Sequence, residues 1–145
     1  MSTEENKALV REVVEEVFNK KNLAVADRAY ARDYVGYDPA TPEPIRGPEG
    51  VKKDISAYHA AFPDLRFTIE DQIAEGDRVV SRFRCTGTHR GELMGISPTG
   101  KRAEVTGISI VRIAGGRIAE EWNAWDALGL MQQLGAVPPP PGASA

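Results

Sequence analysis

The chain has 145 residues, 41% of them hydrophobic and 27% charged, which is enough apolar content for one core of ordinary domain size. A formal net charge of -3, with lysine and arginine scattered rather than clustered, argues against a nucleic-acid or anionic-membrane surface and for a small neutral or weakly polar partner. The single cysteine, Cys85, rules out an intrachain disulfide and fits a reducing compartment, with packing as its expected role.

The N-terminal "MSTEENKALV" is acidic and lacks the basic-then-apolar build of a signal peptide. No apolar run approaches the roughly 18 residues of a spanning helix, so a cytoplasmic location is expected. Val10, Val13, Val14, Val17 and Phe18 follow helical spacing, and Ser2 with Glu5 has capping-box spacing, which predicts an amphipathic first helix. Leu23, Ala26 and Tyr30 suggest a shorter second helix, and "YVGYDPATPEPIRGP" then breaks the pattern as a long loop able to cover something. Pro48 suits a helix first turn, and Val51, Ile55, Tyr58 and Phe62 share one face of a third helix that Pro63 stops.

From Leu65 the period changes to two. Phe67, Ile69 and Ile73 alternate with polar residues up to an "EGD" turn, and a long strand follows with Val79, Ser81, Phe83, Cys85, Gly87 and His89 on its less charged face. "GELMGISPTGKR" is an irregular connection, "AEVTGISIVRI" a further strand, and Gly115 and Gly116 fit a tight hairpin into "RIAEEWNAW". A short helix from Leu128 to Leu134 precedes "PPPPGASA", too proline-rich and polar to pack. The expected organisation is one domain over 1–135 with a flexible tail over 136–145. Its fold class is α+β: a cone-shaped, curved, mostly antiparallel sheet closed by three N-terminal helices around a pocket.

Asp126 is the first candidate for chemistry. Whether the chain there is extended or already helical, Trp122 and Asp126 point together, and a carboxylate beside an indole in a partly dry cavity suits a general acid/base. The competing reading is an N-cap for the last helix, a position where aspartate is common, and the two roles are compatible. Glu120 shares that face if the strand is regular, which would bring a pair of carboxylates to the pocket, although Glu120 and Glu121 must then point oppositely. His89, at a strand end on the face of Phe83, is either a proton donor at the pocket mouth or a structural partner of the loop backbone. Tyr37, Tyr58, Phe62, Phe83 and Trp122 are the candidate aromatic lining for a small hydrophobic ligand, with core packing as the alternative for each. Two histidines and one cysteine without H-x-H, H-E-x-x-H or C-x-x-C spacing predict no metal, and the absence of G-x-S-x-G, P-loop and dinucleotide-binding signatures predicts no cofactor.

Three segments, "FPDLRFTIED", "GDRVVSRFRCTGTHRGELMGISPTGKR" and "GGRIAEEWNAWDALGLMQQLG", carry a family likeness. Over residues 4 to 135 the chain resembles the SnoaL-like polyketide cyclase (predicted ester cyclase) group of the nuclear transport factor 2-like superfamily. The resemblance implies a cone-shaped α+β barrel, homodimers through the open sheet surface, and cofactor-free intramolecular aldol ring closure of a polyketide-like carbonyl compound. A pocket aspartate near the C-terminus is the family's acid/base, and the resemblance places it at Asp126. The family's further histidine has no match on the strand "TGISIVRI", which offers Ser109 and Arg112 instead. The alternatives are an epoxide hydrolase-like site, in which Arg84 or Arg112 joins Asp126 and Glu120, and a small-molecule binding protein without chemistry.

Overall fold

The computed structural model describes residues 1–142. Helix α1 spans Thr3–Val13 and opens with the expected capping box: the Ser2 hydroxyl accepts from the Glu5 amide and the Glu5 carboxylate accepts from the Ser2 amide. It runs on into a wider π-helical turn, Val14–Asn19, which keeps Val14 and Val17 buried. A 3-10 turn at Leu23–Val25 and the short helix α2, Ala26–Ala29, stand for the predicted second helix. Helix α3, Gly47–Ala61, has proline in its first turn and ends as predicted before Pro63.

Strands β3 (Arg66–Glu75), β4 (Arg78–Thr88), β5 (Arg102–Ala114) and β6 (Arg117–Trp125) form an antiparallel meander. The β5–β6 turn places Gly115 at φ 58 and Gly116 at φ 75, the left-handed pair that a two-residue hairpin needs. Two strands lie where the sequence pattern predicts a helix end and a loop. Tyr30–Tyr37 is strand β1 and Ile45–Arg46 is strand β2, and β1 joins β6 in the one parallel pairing among the described residues. The sheet order is β2-β1-β6-β5-β4-β3. Its other pairings are antiparallel, and the α+β class holds.

All the helices pack on one face of this sheet, α1 against β3 and β4 and α3 against β1 and β2. One apolar cluster, including Val13, Val17, Tyr34, Ile55, Val79 and Ile118, lies under α1 and α3. A second, with Phe62, Leu93, Ala103, Leu130 and Leu134, seals the other end beneath helix α4, Ala127–Gln133. Among the described residues no helix is long and apolar enough to cross a membrane. Of the segment expected to be a tail, residues 143–145 lie outside the described residues.

One irregularity decides what faces the helices. Ile113 pairs with Ile118, but Arg112 pairs with Glu120, so Ala119 is an extra residue on β6. Such a bulge bends the strand and exchanges its two faces from that point on. Ile118 and Ala119 are both buried in succession, and beyond them Glu121 sits opposite Val111, Asn123 opposite Ser109 and Trp125 opposite Gly107.

Candidate functional site

Helices and sheet enclose a cavity of about 170 Å³. Its wall is mostly apolar and aromatic, with Val13, Phe18, Ile55, Phe67, Phe83 and Val111 among the contributors. Into it come three carboxylates from three elements: Asp38 just after β1, Asp54 on α3 and Glu121 on β6. Among the described residues no lysine, arginine or histidine lines it, so nothing in the wall neutralises these acids.

Glu121 is held by a buried tyrosine. The hydroxyl of buried Tyr34 donates to its Oε1 at 2.9 Å, and Tyr34 is wedged edge-on against Tyr30 with ring centroids 4.8 Å apart. Gly36 makes this possible, because a Cβ there would stand 2.3 Å from the Tyr34 hydroxyl. Burial pushes the Glu121 carboxyl up to about 6, against the opposing effect of the Tyr34 bond. Asp54 is likewise raised to about 6, by burial first and the Asp38 charge second. Burial and the neighbouring Glu121 charge raise both Tyr30 and Tyr34 well above the ordinary phenol range, so both stay protonated, Tyr34 as the donor to Glu121. Burial also lifts the Cys85 thiol to about 12, which leaves it an inert wall residue.

Asp38 closes the rim. The Trp125 indole N–H donates to both of its carboxylate oxygens at 3.1 Å, while its Oδ1 accepts from the Ala40 amide at 2.8 Å and fixes the turn that begins the proline-rich loop. Trp125 in turn meets Tyr58 edge-to-face at 6.4 Å. The three side chains tie the loop, α3 and the end of β6 together.

The cavity takes Tyr58, Phe62 and Phe83 from the residues expected on sequence grounds. The others stand elsewhere, mostly because of the β6 bulge. Asp126 is exposed, and its Oδ1 accepts from the Gly129 amide at 2.9 Å as the N-cap of α4, outside the cavity wall. Glu120 faces outward and pairs with Arg112 at 3.0 Å. Trp122 lies on the same outer face, stacked at 6.3 Å on the exposed Tyr37 ring with the Arg78 guanidinium 5.2 Å from its own centroid. Trp122 therefore does not desolvate Asp126, and Tyr37 presents no hydroxyl to the cavity.

His89 is fully buried but sits behind Phe62, ring centroids 5.5 Å apart, rather than in the wall. Its Nδ1 accepts from the Thr99 amide at 3.2 Å, which puts the ring proton on Nε2, and it also bonds the Thr99 hydroxyl at 3.0 Å. It ties down the loop between β4 and β5. The arginines of the epoxide hydrolase alternative also point away: Arg84 pairs with Glu70 and Glu104, and Arg112 with Glu120. Among the described residues no group of three His, Cys, Asp or Glu side chains is arranged to hold a metal.

Sequence reasoning missed Glu121, Asp54 and Asp38. For Asp54 a signal was present, since it lies three residues after Val51 and four before Tyr58, inside the apolar stripe of α3. For Glu121 there was none short of locating the bulge.

A curved sheet roofed by helices around an acid-bearing apolar cavity is the nuclear transport factor 2-like architecture in its small-molecule form. The family model described as SnoaL-like polyketide cyclase matches residues 8–134, and the chain belongs to that family. It is 31% identical over 135 residues to aklanonic acid methyl ester cyclase DnrD of Streptomyces peucetius, covering 92% of each chain. Among solved structures it is similar to AclR of Streptomyces galilaeus, a proposed hydroxylase, at 32% identity and TM-score 0.84, covering 97% of this chain and 87% of that one. TsrD of Streptomyces laurentii is similar at 30% identity and TM-score 0.84, over 94% and 99% of the two chains.

Proposed function

We propose that the protein is a cofactor-free cyclase that closes a ring in a small polyketide-like carbonyl compound by acid/base chemistry, with Glu121 as the base. The observation that carries this reading is a carboxylate raised to about 6 by burial, held in place by Tyr34, in a cavity whose wall supplies no cation among the described residues. Such a group is ionised at neutral pH yet basic enough to take a proton from a carbon beside a carbonyl. The resulting carbanion attacks a second carbonyl of the same molecule, one C–C bond forms, and the new alkoxide is protonated. The proton that Glu121 has taken from carbon is the one returned to this oxygen, which restores the Glu121 carboxylate, and Asp54, a second carboxyl raised by burial in the same wall, can relay it. Substrate and product are isomers, so the step needs no oxidant or reductant.

The expected role of Asp126 passes to Glu121 in this reading, because the cavity wall holds Glu121 and the helix end holds Asp126. The first substrate to test is aklanonic acid methyl ester, the compound in the name of DnrD. A product of unchanged mass and altered retention is expected. Unchanged compound, under conditions in which DnrD converts it, would remove this substrate class. We further propose a homodimer through the outer face of the sheet, where Ile108 is 49% and Ile110 37% exposed on β5.

A further inference from the structure

Two hydroxyls on the cavity floor keep donor capacity that the fold does not use. Ser81 on β4 and Ser109 on β5 are directly paired in register, both point inward, and both are buried, at 3% and 6% exposure. Cross-strand neighbours on one face lie about 5 Å apart at Cβ. The Ser81 oxygen accepts from the Gln72 side-chain amide at 3.3 Å, which leaves its own proton free to donate. The Ser109 hydroxyl makes no side-chain hydrogen bond among the described residues and is open to the cavity rather than fully enclosed. Asn123 sits opposite Ser109 on β6, with its side chain engaged by Glu121 rather than by the serine.

A hydroxyl that faces an apolar cavity without a partner is unfavourable, and Ser109, with the unused Ser81 proton beside it among valine and phenylalanine side chains, is hard to explain as packing. Valine or alanine would fill a purely structural wall at those positions without that cost. Two adjacent O–H donors match the two lone pairs of one carbonyl oxygen. We infer that Ser81 and Ser109 form a two-donor subsite that receives an uncharged ketone or quinone oxygen of the ligand. The inference rests on the cavity being the ligand site, as in the function proposed above. It adds the orientation: a carbonyl held on the β4–β5 floor extends the ligand towards Asn123 and Glu121 on the next strand.

The test uses 2-acetonaphthone as a carbonyl probe and 2-ethylnaphthalene as its match without oxygen. Binding is followed by Trp fluorescence and the carbonyl stretch by difference infrared spectroscopy. In the wild-type chain the stretch of bound 2-acetonaphthone is expected to shift to lower frequency relative to the probe in hexane. In Ser109→Ala the shift shrinks and affinity falls about fivefold, and in the Ser81→Ala/Ser109→Ala pair the shift is lost, while 2-ethylnaphthalene binds all three within about twofold. A merely structural role would not move the infrared band, and removing an unpartnered hydroxyl leaves the melting temperature equal or higher. A shift that survives in the double variant, or no saturable binding of 2-acetonaphthone to the wild type, overturns the subsite. Glu121→Gln keeps the band shift, so failure of the cyclase chemistry and failure of the subsite are told apart.

Discussion

Replacing Glu121 by Gln is expected to make the protein more stable at alkaline pH, for a reason that comes from the cavity. The carboxyl titrates at about 6 in the folded chain and near 4.5 when free, because burial disfavours its charged form more than the Tyr34 bond favours it. Between those two values the folded state binds more protons than the unfolded one, so stability falls as pH rises through that window. The carboxyl's unfavourable contribution is absent below about pH 4 and complete above about pH 7, where it amounts to roughly 2 kcal/mol at about 1.4 kcal/mol per pH unit. Glutamine keeps the shape and an oxygen for the Tyr34 hydroxyl but carries no charge at any pH. Its melting temperature at about pH 8 should exceed wild type by about 6 °C, with the difference vanishing near pH 4. Thermal melts followed by circular dichroism at the two pH values measure this. An equal melting temperature at about pH 8, or a gain independent of pH, would mean that Glu121 is not desolvated as the cavity requires.

Changes at four further places probe the framework. Asp126→Ala removes the cap of α4 and should cost about 1 kcal/mol, whereas Asp126→Asn, an equally good cap, should cost little; denaturant unfolding separates the two. Gly36→Ala drives a methyl into the Tyr34 hydroxyl and should destabilise the fold by about 1–3 kcal/mol. Once a substrate is turned over, Gly36→Ala and Tyr34→Phe should both move the acid limb of the pH–rate profile to higher pH, since the Tyr34 bond is what holds the Glu121 carboxyl down. Ile108→Glu with Ile110→Glu should convert the proposed dimer to monomer in light scattering without altering the cavity, because both side chains point away from it.

Local periodicity was sufficient where the chain is regular. The β4 alternation placed Phe83 and Cys85 in the wall, and the α3 stripe placed Tyr58 and Phe62 there. Strand β1 was hidden because its short run, "YARDYVGY", is rich in charge and ends in a glycine-and-proline stretch, and its pairing with the distant β6 is not a local property. The β6 bulge had the larger effect. A strand read with strict alternation puts Glu120, Trp122 and Asp126 inside; one extra residue at Ala119 reverses this and brings in Glu121, Asn123 and Trp125. Nothing in "RIAEEWNAW" marks the bulge, because its register is set by β5 across the hairpin. The helix cap at Asp126, a local hydrogen bond, was legible for the same reason that the face of the strand was not.

The central claim is that the reacting carboxylate is Glu121 and not Asp126. Its most direct test is kcat on aklanonic acid methyl ester for Glu121→Gln and Asp126→Asn, measured side by side with the wild-type chain. The account predicts a loss of about 10² or more for Glu121→Gln, as expected when a general base is removed, and a rate within about threefold of wild type for Asp126→Asn. A collapse of turnover in Asp126→Asn with activity retained in Glu121→Gln would contradict it.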